Sequence, residues 1–168
     1  MKIVIRNEAG SDIKAISNIT KAAFQTLAIS NHTEQFIVDA LRNGKALTFS
    51  LVAVAGDRVV GHVALSPVKI SDGSTGWYGL GPISVLPELQ KQGIGRSLMK
   101  EGLSRLRSLG ANGCILVGDP GFYGRFGFKS PKSLSIEGVP QEFVLALPFE
   151  DSRASGKVIF HDAFAATE

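Results

Sequence analysis

The sequence predicts an α/β fold with a mixed, mainly antiparallel sheet, and two patterns indicate it. Runs rich in β-branched residues at 49–55 and 59–70 are separated by a short polar turn, which is typical of a hairpin. A third such run at 77–85 is followed by a helical pattern over 93–110 and by a wholly apolar run at 113–117. A strand, a helix and a second strand in that order predict a parallel strand pair beside the antiparallel strands.

The N-terminal part predicts one strand and two helices ahead of the hairpin. Residues 2–6 form a short β-type run, and Asp12 is an N-cap candidate for the first helix. The apolar face of that helix is predicted to hold Ile13, Ile16, Ala23, Phe24 and Leu27. The second helix is predicted to begin near Thr33 and to end at Gly44.

The C-terminal third is less regular. Residues 122–126 predict a short helical turn, and residues 142–147 predict a late strand. Residues 156–161 predict another strand, which we expect to pair with a segment near the C-terminus. We expect one domain over residues 1–168, since this length buries a single ordinary core.

Composition excludes several classes of protein. Hydrophobic residues make up 44% and charged residues 20%, as in ordinary globular proteins. No apolar run reaches the roughly 18 residues that span a bilayer, so we expect cytoplasmic residence without membrane contact. A net charge of +3 without a Lys/Arg block favours a polyanionic cofactor over nucleic acid. The single cysteine, Cys114, lies in an apolar run and is interpreted as a small buried hydrophobe rather than a nucleophile.

Residues 85–95 lie between a predicted strand and a predicted helix, where phosphate-binding loops occur. Gly93 and Gly95 allow close backbone approach, and the helix start offers unpaired N–H groups. Lys91 and Arg96 are candidates for direct attraction of an anion. The same glycines are also compatible with nothing more than a tight turn. A dinucleotide fingerprint requires a third glycine where Leu98 stands, and no Gly-Lys-Ser/Thr of an NTP loop is present.

Two motifs carry a resemblance to a known family. The first reads Gln90-Lys91-Gln92-Gly93-Ile94-Gly95 and follows a strand and Pro87. The second is the aromatic run from Gly118 to Phe128 after the next strand. Together they resemble the GNAT superfamily of N-acetyltransferases, in particular its YhbS-type bacterial branch.

The resemblance implies a GNAT-type sheet with helices on both faces and with splayed parallel strands at about 78–85 and 113–118. Acetyl-CoA is expected between those strands as the cosubstrate, with no metal. The implied cofactor-binding residues are Ile83, Ser84, Val85, Gln90, Lys91, Gln92, Gly93, Ile94, Gly95, Arg96 and Tyr123.

The implied chemistry is direct attack of a primary amine on the thioester in a ternary complex. A backbone N–H near Ile83 or Ser84 is the candidate donor to the oxyanion. Tyr123 matches the family's acid, and a phenol with a pKa near 10 can protonate a thiolate. A packing role for this ring is the alternative.

The family's usual general base has no counterpart at its expected position. Several family members carry a glutamate in the cofactor strand, but Gly79 stands at that position. Glu34, at the start of the second helix, is the candidate substitute, with a helix-start carboxylate as the alternative. His32 is expected at the surface and His62 in a packed or hydrogen-bonded position. Asp119 stands where many relatives carry Asn, and it is a candidate cap for the following turn.

The expected partners are therefore acetyl-CoA and a small-molecule or peptide amine. Small amines, amino acids, antibiotics and protein N-termini are all compatible acceptors. A homodimer is also compatible, with Phe160 and Phe164 as candidate contact surface. A non-catalytic module that binds acetyl-CoA or CoA is the alternative function, and Tyr123 is a feature that such a module does not need.

Overall fold

The structure is a computed structural model that describes residues 1–28 and 30–168. The strands are β1 (Ile3–Asn7), β2 (Phe49–Ala55), β3 (Arg58–Pro67), β4 (Lys69–Ile70), β5 (Trp77–Val85), β6 (Gly113–Val117), β7 (Leu134–Ser135), β8 (Val144–Pro148) and β9 (Gly156–Ile159). The helices are α1 (Ile13–Phe24), α2 (Glu34–Asn43), α3 (Ile94–Leu109) and α4 (Pro120–Tyr123).

The chain divides into two compact units. The first comprises residues 1–65, 81–102 and 162–168, and the second comprises residues 66–80 and 103–161. Strand β5 and helix α3 each contribute residues to both units.

The first unit is built on the strand order β1-β2-β3-β5. The β1–β2 and β2–β3 pairs are antiparallel, with Ile5 opposite Ala53 and Leu51 opposite Val63. The hairpin turn places Ala55 opposite Arg58, so the predicted hairpin is confirmed.

Helices α1 and α2 pack their apolar stripes on this sheet, as the period of their buried residues predicts. One buried cluster joins Ile16, Val38 and Val52. A second joins Ile37, Leu41, Ala46, Ala64 and Ala163. The core of the first unit therefore lies between the two helices and the middle strands.

The second unit has the order β5-β6-β8 and a small separate sheet. Residues 77–79 of β5 pair in parallel with residues 113–115 of β6, and β6 pairs antiparallel with β8. The small sheet has the order β4-β9-β7. The core of this unit consists of Val68, Ile70, Trp77, Ile115, Leu134, Ala146 and Val158. The predicted mixed, mainly antiparallel sheet with helices is confirmed.

Three local predictions are wrong. The predicted strand 59–70 is interrupted after Pro67, which has no N–H to donate and is the last residue of β3, and β4 pairs instead with β9. The strand predicted at 156–161 ends at Ile159 and pairs with β4 and β7 rather than near the C-terminus. Helix α1 ends at Phe24, so Leu27 lies outside it and is exposed.

The predicted N-cap of α1 has a different bonding pattern. Asp12 stands at the cap position, but its carboxylate accepts hydrogen bonds from the Ala9 N–H and from Arg6, both at 2.7 Å. The hydrogen bonds from Arg6 lead the causes that lower the pKa of Asp12. Asp12 therefore stabilises the turn before the helix.

Candidate functional site

The loop that joins β5 to α3 contains two left-handed residues, Lys91 (φ 64°) and Gly93 (φ 89°). Glycine adopts such angles without a Cβ penalty. The space beside Gly93 is open, because an added Cβ meets no heavy atom within 4 Å. Gln90 closes the base of the loop by donating from Nε2 to the carbonyl oxygen of Val85 at 3.1 Å. The backbone around Gly93 is therefore accessible to a ligand.

Helix α3 begins with N–H groups that have no helical acceptor. It starts at Ile94, and the Ser97 N–H donates to the Gly93 carbonyl at 3.0 Å. The N–H groups before Ser97 lie in the first turn, where helix geometry supplies no carbonyl partner. They carry the positive end of the helix dipole, which attracts anions.

The charges of this loop are also favourable for an anion. Lys91 and Arg96 are both exposed. Glu88 is the single acid in the sequence from 83 to 96, and its carboxylate lies 3.3 Å from the Arg58 guanidinium. Because Glu88 is ion-paired, the loop presents net positive charge to an approaching phosphate.

The end of β5 is tied to α1 by a buried hydroxyl pair. Ser84 is buried, whereas Ile83 and Val85 are half-buried. The Thr20 hydroxyl donates to the Ile16 carbonyl at 2.7 Å and lies 3.3 Å from Ser84 Oγ. Since the Thr20 hydrogen is already used, Ser84 donates in this pair. The predicted cofactor residues 83–85 are thus held against the helix.

Glu34 is the first residue of α2 and has local partners. Ser30 Oγ lies 2.7 and 2.8 Å from the two carboxylate oxygens of Glu34, and it accepts from the His32 N–H at 2.9 Å. The His32 ring nitrogen Nε2 lies 3.2 Å from the Leu27 carbonyl, and His32 is exposed as predicted. The Glu34 carboxylate therefore braces the segment that precedes α2.

Tyr123 is the last residue of α4 and belongs to the second unit. Its ring packs edge-on against Phe122 with centroids 4.9 Å apart, and it contacts Phe128 at 6.3 Å. Burial, followed by the charge of Asp119, raises the pKa of Tyr123. The phenol therefore stays un-ionised at neutral pH and can donate a proton.

Two residues before α4 shape the position of that ring. A Cβ added to Gly118 would overlap Tyr123 Cε2, so the ring lies directly against the glycine. The Asp119 carboxylate accepts from the Gly121 N–H at 2.9 Å. The backbone carbonyl of Asp119 accepts from the N–H groups of Phe122 and Tyr123 at 3.1 and 3.0 Å. The predicted capping role of Asp119 is confirmed.

The position of the family's glutamate is filled by an aromatic ring. A Cβ added to Gly79 would lie 2.6 Å from Cε1 of Phe160 and 3.2 Å from Cγ1 of Val68. Phe160 follows β9, and sequence reasoning assigned it to a dimer surface. Its ring is half-buried and packs against the core of the second unit, and Phe164, also half-buried, packs against an apolar cluster of the first. Their role in a dimer stays a prediction.

The first unit contains a partly buried polar cluster that the sequence does not predict. Arg42 donates two hydrogen bonds to Glu8 at 2.8 and 2.9 Å, and Ser50 also donates to Glu8. His62 Nε2 lies 2.7 Å from Ser50 Oγ. His62 is fully buried and hydrogen-bonded, as predicted. The residues are far apart in the sequence, so no local pattern could join them.

Cys114 is completely buried, and burial raises the pKa of its thiol. A buried neutral thiol is inert, which agrees with the predicted packing role.

The comparisons with known proteins agree with both sequence motifs. The family model described as the acetyltransferase (GNAT) domain matches residues 4–130. The chain belongs to the GNAT acetyltransferase family. The matched residues include the loop before α3 and the turn that carries Tyr123.

Relatives of this family member include the N-acetyltransferase YhbS of Escherichia coli K12. The two are 34% identical over 128 residues, which cover 76% of this chain and 74% of YhbS. The predicted YhbS-type branch is therefore confirmed.

Two solved structures are similar over nearly the whole chain. One is a GNAT family acetyltransferase from Brucella melitensis in complex with acetyl-CoA, which is 47% identical in sequence and has a TM-score of 0.87. The match covers 97% of this chain and 98% of the Brucella chain. The structure of YhbS from Escherichia coli, in complex with CoA, is 28% identical in sequence and has a TM-score of 0.89. The match covers 100% of this chain and 94% of that YhbS chain. Within the described residues, no helix combines the length and apolarity needed to cross a bilayer.

Proposed function

We propose that this GNAT family member transfers an acetyl group from acetyl-CoA to a primary amine by direct attack in a ternary complex. The observation that carries the proposal is the β5–α3 loop, with its open backbone at Gly93, its helix start and its net positive charge. The Brucella relative in complex with acetyl-CoA and YhbS in complex with CoA support the choice of cosubstrate.

In this proposal the loop binds the pyrophosphate. The backbone of Lys91, Gln92, Gly93, Ile94 and Gly95 supplies N–H donors, and the side chains of Lys91 and Arg96 supply charge. Gln90 stands at the base of the loop, where its own N–H donates to the Pro87 carbonyl at 3.4 Å. A bulky acid at Gly93 would occupy the open space and repel the phosphates.

The pantetheine arm is proposed to pair with the backbone of Ile83 and Val85, as an added strand does. Gln90 already donates to the Val85 carbonyl, but a carbonyl oxygen has two lone pairs and can accept again. The bond from Ser84 to Thr20 fixes this backbone before the ligand arrives.

The chemical step requires three contributions from the chain. The neutral amine attacks the thioester carbonyl, the new C–N bond forms, and the C–S bond breaks. An N–H of Ile83 or Ser84 stabilises the oxyanion, and Tyr123 gives its phenolic proton to the departing thiolate. The proton lost by the amine passes through water to Glu34, and the phenolate regains a proton from solvent.

Ligand titration tests the proposal directly. We expect acetyl-CoA and CoA to bind more tightly than ATP or NAD, and we expect thiol release from acetyl-CoA with at least one amine of a panel. If ATP or NAD binds better than CoA, the proposed function is wrong. If acetyl-CoA binds but no amine releases thiol, the chain is a binding module.

Substitution of Tyr123 by Phe tests the acid. We expect Tyr123→Phe to lower kcat by roughly 10²-fold or more, the size typical of general acid catalysis, with little change in the Kd for acetyl-CoA. Phe126→Leu, in the same aromatic run, is the control for general disturbance of the turn. An unchanged kcat would remove Tyr123 from the mechanism.

Glu34→Gln tests the base, because the amide keeps a hydrogen bond with Ser30 but does not accept the amine's proton. We expect a lower kcat at neutral pH with an unchanged melting temperature. Ser30→Ala is the control that removes the brace alone. A Glu34→Gln enzyme with full activity would show that water alone accepts the proton.

One domain over residues 1–168, cytoplasmic residence and a homodimer remain predictions. Size-exclusion chromatography with light scattering measures the last of these.

A further inference from the structure

Two contacts of Tyr123 itself and one cap within the same turn fix residues 118–123. The ring lies against Gly118, where any Cβ would overlap it. The backbone N–H of Tyr123 donates to the Asp119 carbonyl at 3.0 Å, and the Asp119 carboxylate caps the same turn at Gly121. One steric contact with the ring and two hydrogen bonds within the turn thus fix the place of the Tyr123 side chain.

We propose that Gly118 and Asp119 are positioning residues for Tyr123: Gly118 sets the place of the ring, and Asp119 fixes the turn that carries it and adds a negative charge to that turn. The catalytic meaning of this arrangement rests on the proposed acid role of Tyr123. The arrangement itself can be measured without any acetyl transfer.

The steric part follows from the absence of a side chain at Gly118. Alanine there would require the ring of Tyr123 to move, because the Cβ would overlap ring carbon Cε2. Gly124, at the other end of α4, has an αR backbone and open space for a Cβ. It is therefore a matched control for the loss of a glycine beside the same turn.

The electrostatic part depends on the charges around the ring. The segment from 118 to 130, which holds the ring's neighbours Gly118, Phe122 and Phe128, carries three charged residues, Asp119, Arg125 and Lys129. Arg125 is engaged with Phe122, since its Nε donates to that carbonyl at 2.9 Å and its guanidinium lies 4.8 Å from the ring centroid. Asp119 adds to burial in raising the pKa of Tyr123.

Asparagine at position 119 separates the two contributions of the side chain. Its amide oxygen can accept from the Gly121 N–H as the carboxylate does, but it has no charge. Alanine removes both the cap and the charge. Asp119→Asn therefore isolates the effect of charge, and Asp119→Ala reports the effect of the cap in addition.

The first experiment follows tyrosinate formation by ultraviolet absorbance in a Tyr78→Phe background, which leaves Tyr123 as the single tyrosine. We expect Tyr123 to ionise at lower pH in the Asp119→Asn variant than in its parent, with circular dichroism confirming that both remain folded. Because Asp119 is exposed, the difference should shrink at high salt. Identical midpoints at low salt would overturn the electrostatic role.

The second experiment measures the pH profile of kcat with acetyl-CoA. We expect Asp119→Asn to move the alkaline limb to lower pH while the KM for acetyl-CoA stays the same. Gly118→Ala should lower kcat at least tenfold, and Gly124→Ala should not. An unmoved alkaline limb, or equal effects of the two alanines, contradicts the proposal.

The outcomes of the two experiments distinguish failure of the proposed function from failure of the proposed positioning of Tyr123. A shift in the absorbance midpoint without acetyl transfer to any amine would refute the proposed function and leave the positioning of Tyr123 standing. Acetyl transfer with identical midpoints and an unmoved limb would refute the positioning and leave the function standing.

Discussion

At the scale of the residue, the packing at Gly79 shows that the space left by a missing side chain can be filled by another residue. The resemblance to other family members places a glutamate at this position. Here the ring of Phe160 lies 2.6 Å from where the Cβ would be. A glutamate could not be restored by a single substitution, because the ring would have to leave first.

We therefore expect Gly79→Ala to lower the free energy of unfolding by about 1–3 kcal/mol, the usual cost of overpacking. Combining it with Phe160→Ala should cost less than the sum of the two single changes, since the second removes the clash. Chemical denaturation of the four proteins measures this coupling. Strict additivity would show that the ring does not fill the site.

Substitution of Gly93 is expected to change the affinity for acetyl-CoA rather than the stability of the fold. We expect Gly93→Glu to raise the Kd for acetyl-CoA at least tenfold, because the new carboxylate meets the phosphates. Gly73→Glu is the matched control, as Gly73 also has a positive φ (84°) and open surroundings. Calorimetric titration compares them, and equal affinities would exclude phosphate binding at this loop.

At the scale of the element, four segments of the first unit are connected by a partly buried cluster of Glu8, Arg42, Ser50 and His62. Burial opposes ionisation of Glu8, but the hydrogen bonds from Arg42 and Ser50 keep its pKa below the ordinary value. Burial lowers the pKa of His62 to about 4, although the Glu8 charge opposes this. The histidine is therefore neutral in the folded protein.

This cluster predicts a dependence of stability on pH. The unfolded chain binds a proton at His62 with an ordinary pKa of 6.5, whereas the folded chain does so at about 4. Stability is therefore full above pH 6.5 and falls as pH decreases toward 4, by about 3 kcal/mol in total from this group. Denaturation at several pH values measures the change.

His62→Gln supplies the control, because glutamine does not titrate. We expect the free energy of unfolding of this variant to be lower than that of the wild type at pH 7. Between pH 6.5 and 4 it should decrease less than in the wild type. The same slope in both proteins would mean that other groups cause the acid sensitivity.

At the scale of the whole molecule, the end of the chain completes the core of the first unit. Ala163 is buried in the cluster formed by Ile37, Leu41, Ala46 and Ala64, and Phe164 packs against it. Residues more than one hundred positions apart thus share one apolar cluster.

We expect Phe164→Ala to lower the free energy of unfolding by about 1–2 kcal/mol, because the ring is partly buried. Phe143→Ala is the control, since Phe143 is 38% exposed and should contribute less. Thermal unfolding compares the two. A larger loss at Phe143 would contradict the packing described for the C-terminal segment.

The sequence by itself determined the family, the mixed sheet and the loop before α3, because these depend on local patterns and on short contiguous motifs. It also placed the β2–β3 hairpin, whose strands are neighbours along the chain. The predicted strand 59–70 was wrong past Pro67, since the partner of β4 lies almost ninety residues further on.

Only the tertiary structure decided which distant residues meet. Phe160 over Gly79 and the cluster around Glu8 depend on side-chain volume and hydrogen-bond geometry after folding. Contacts of that kind leave no period or spacing in the sequence, because each partner is chosen by packing in three dimensions.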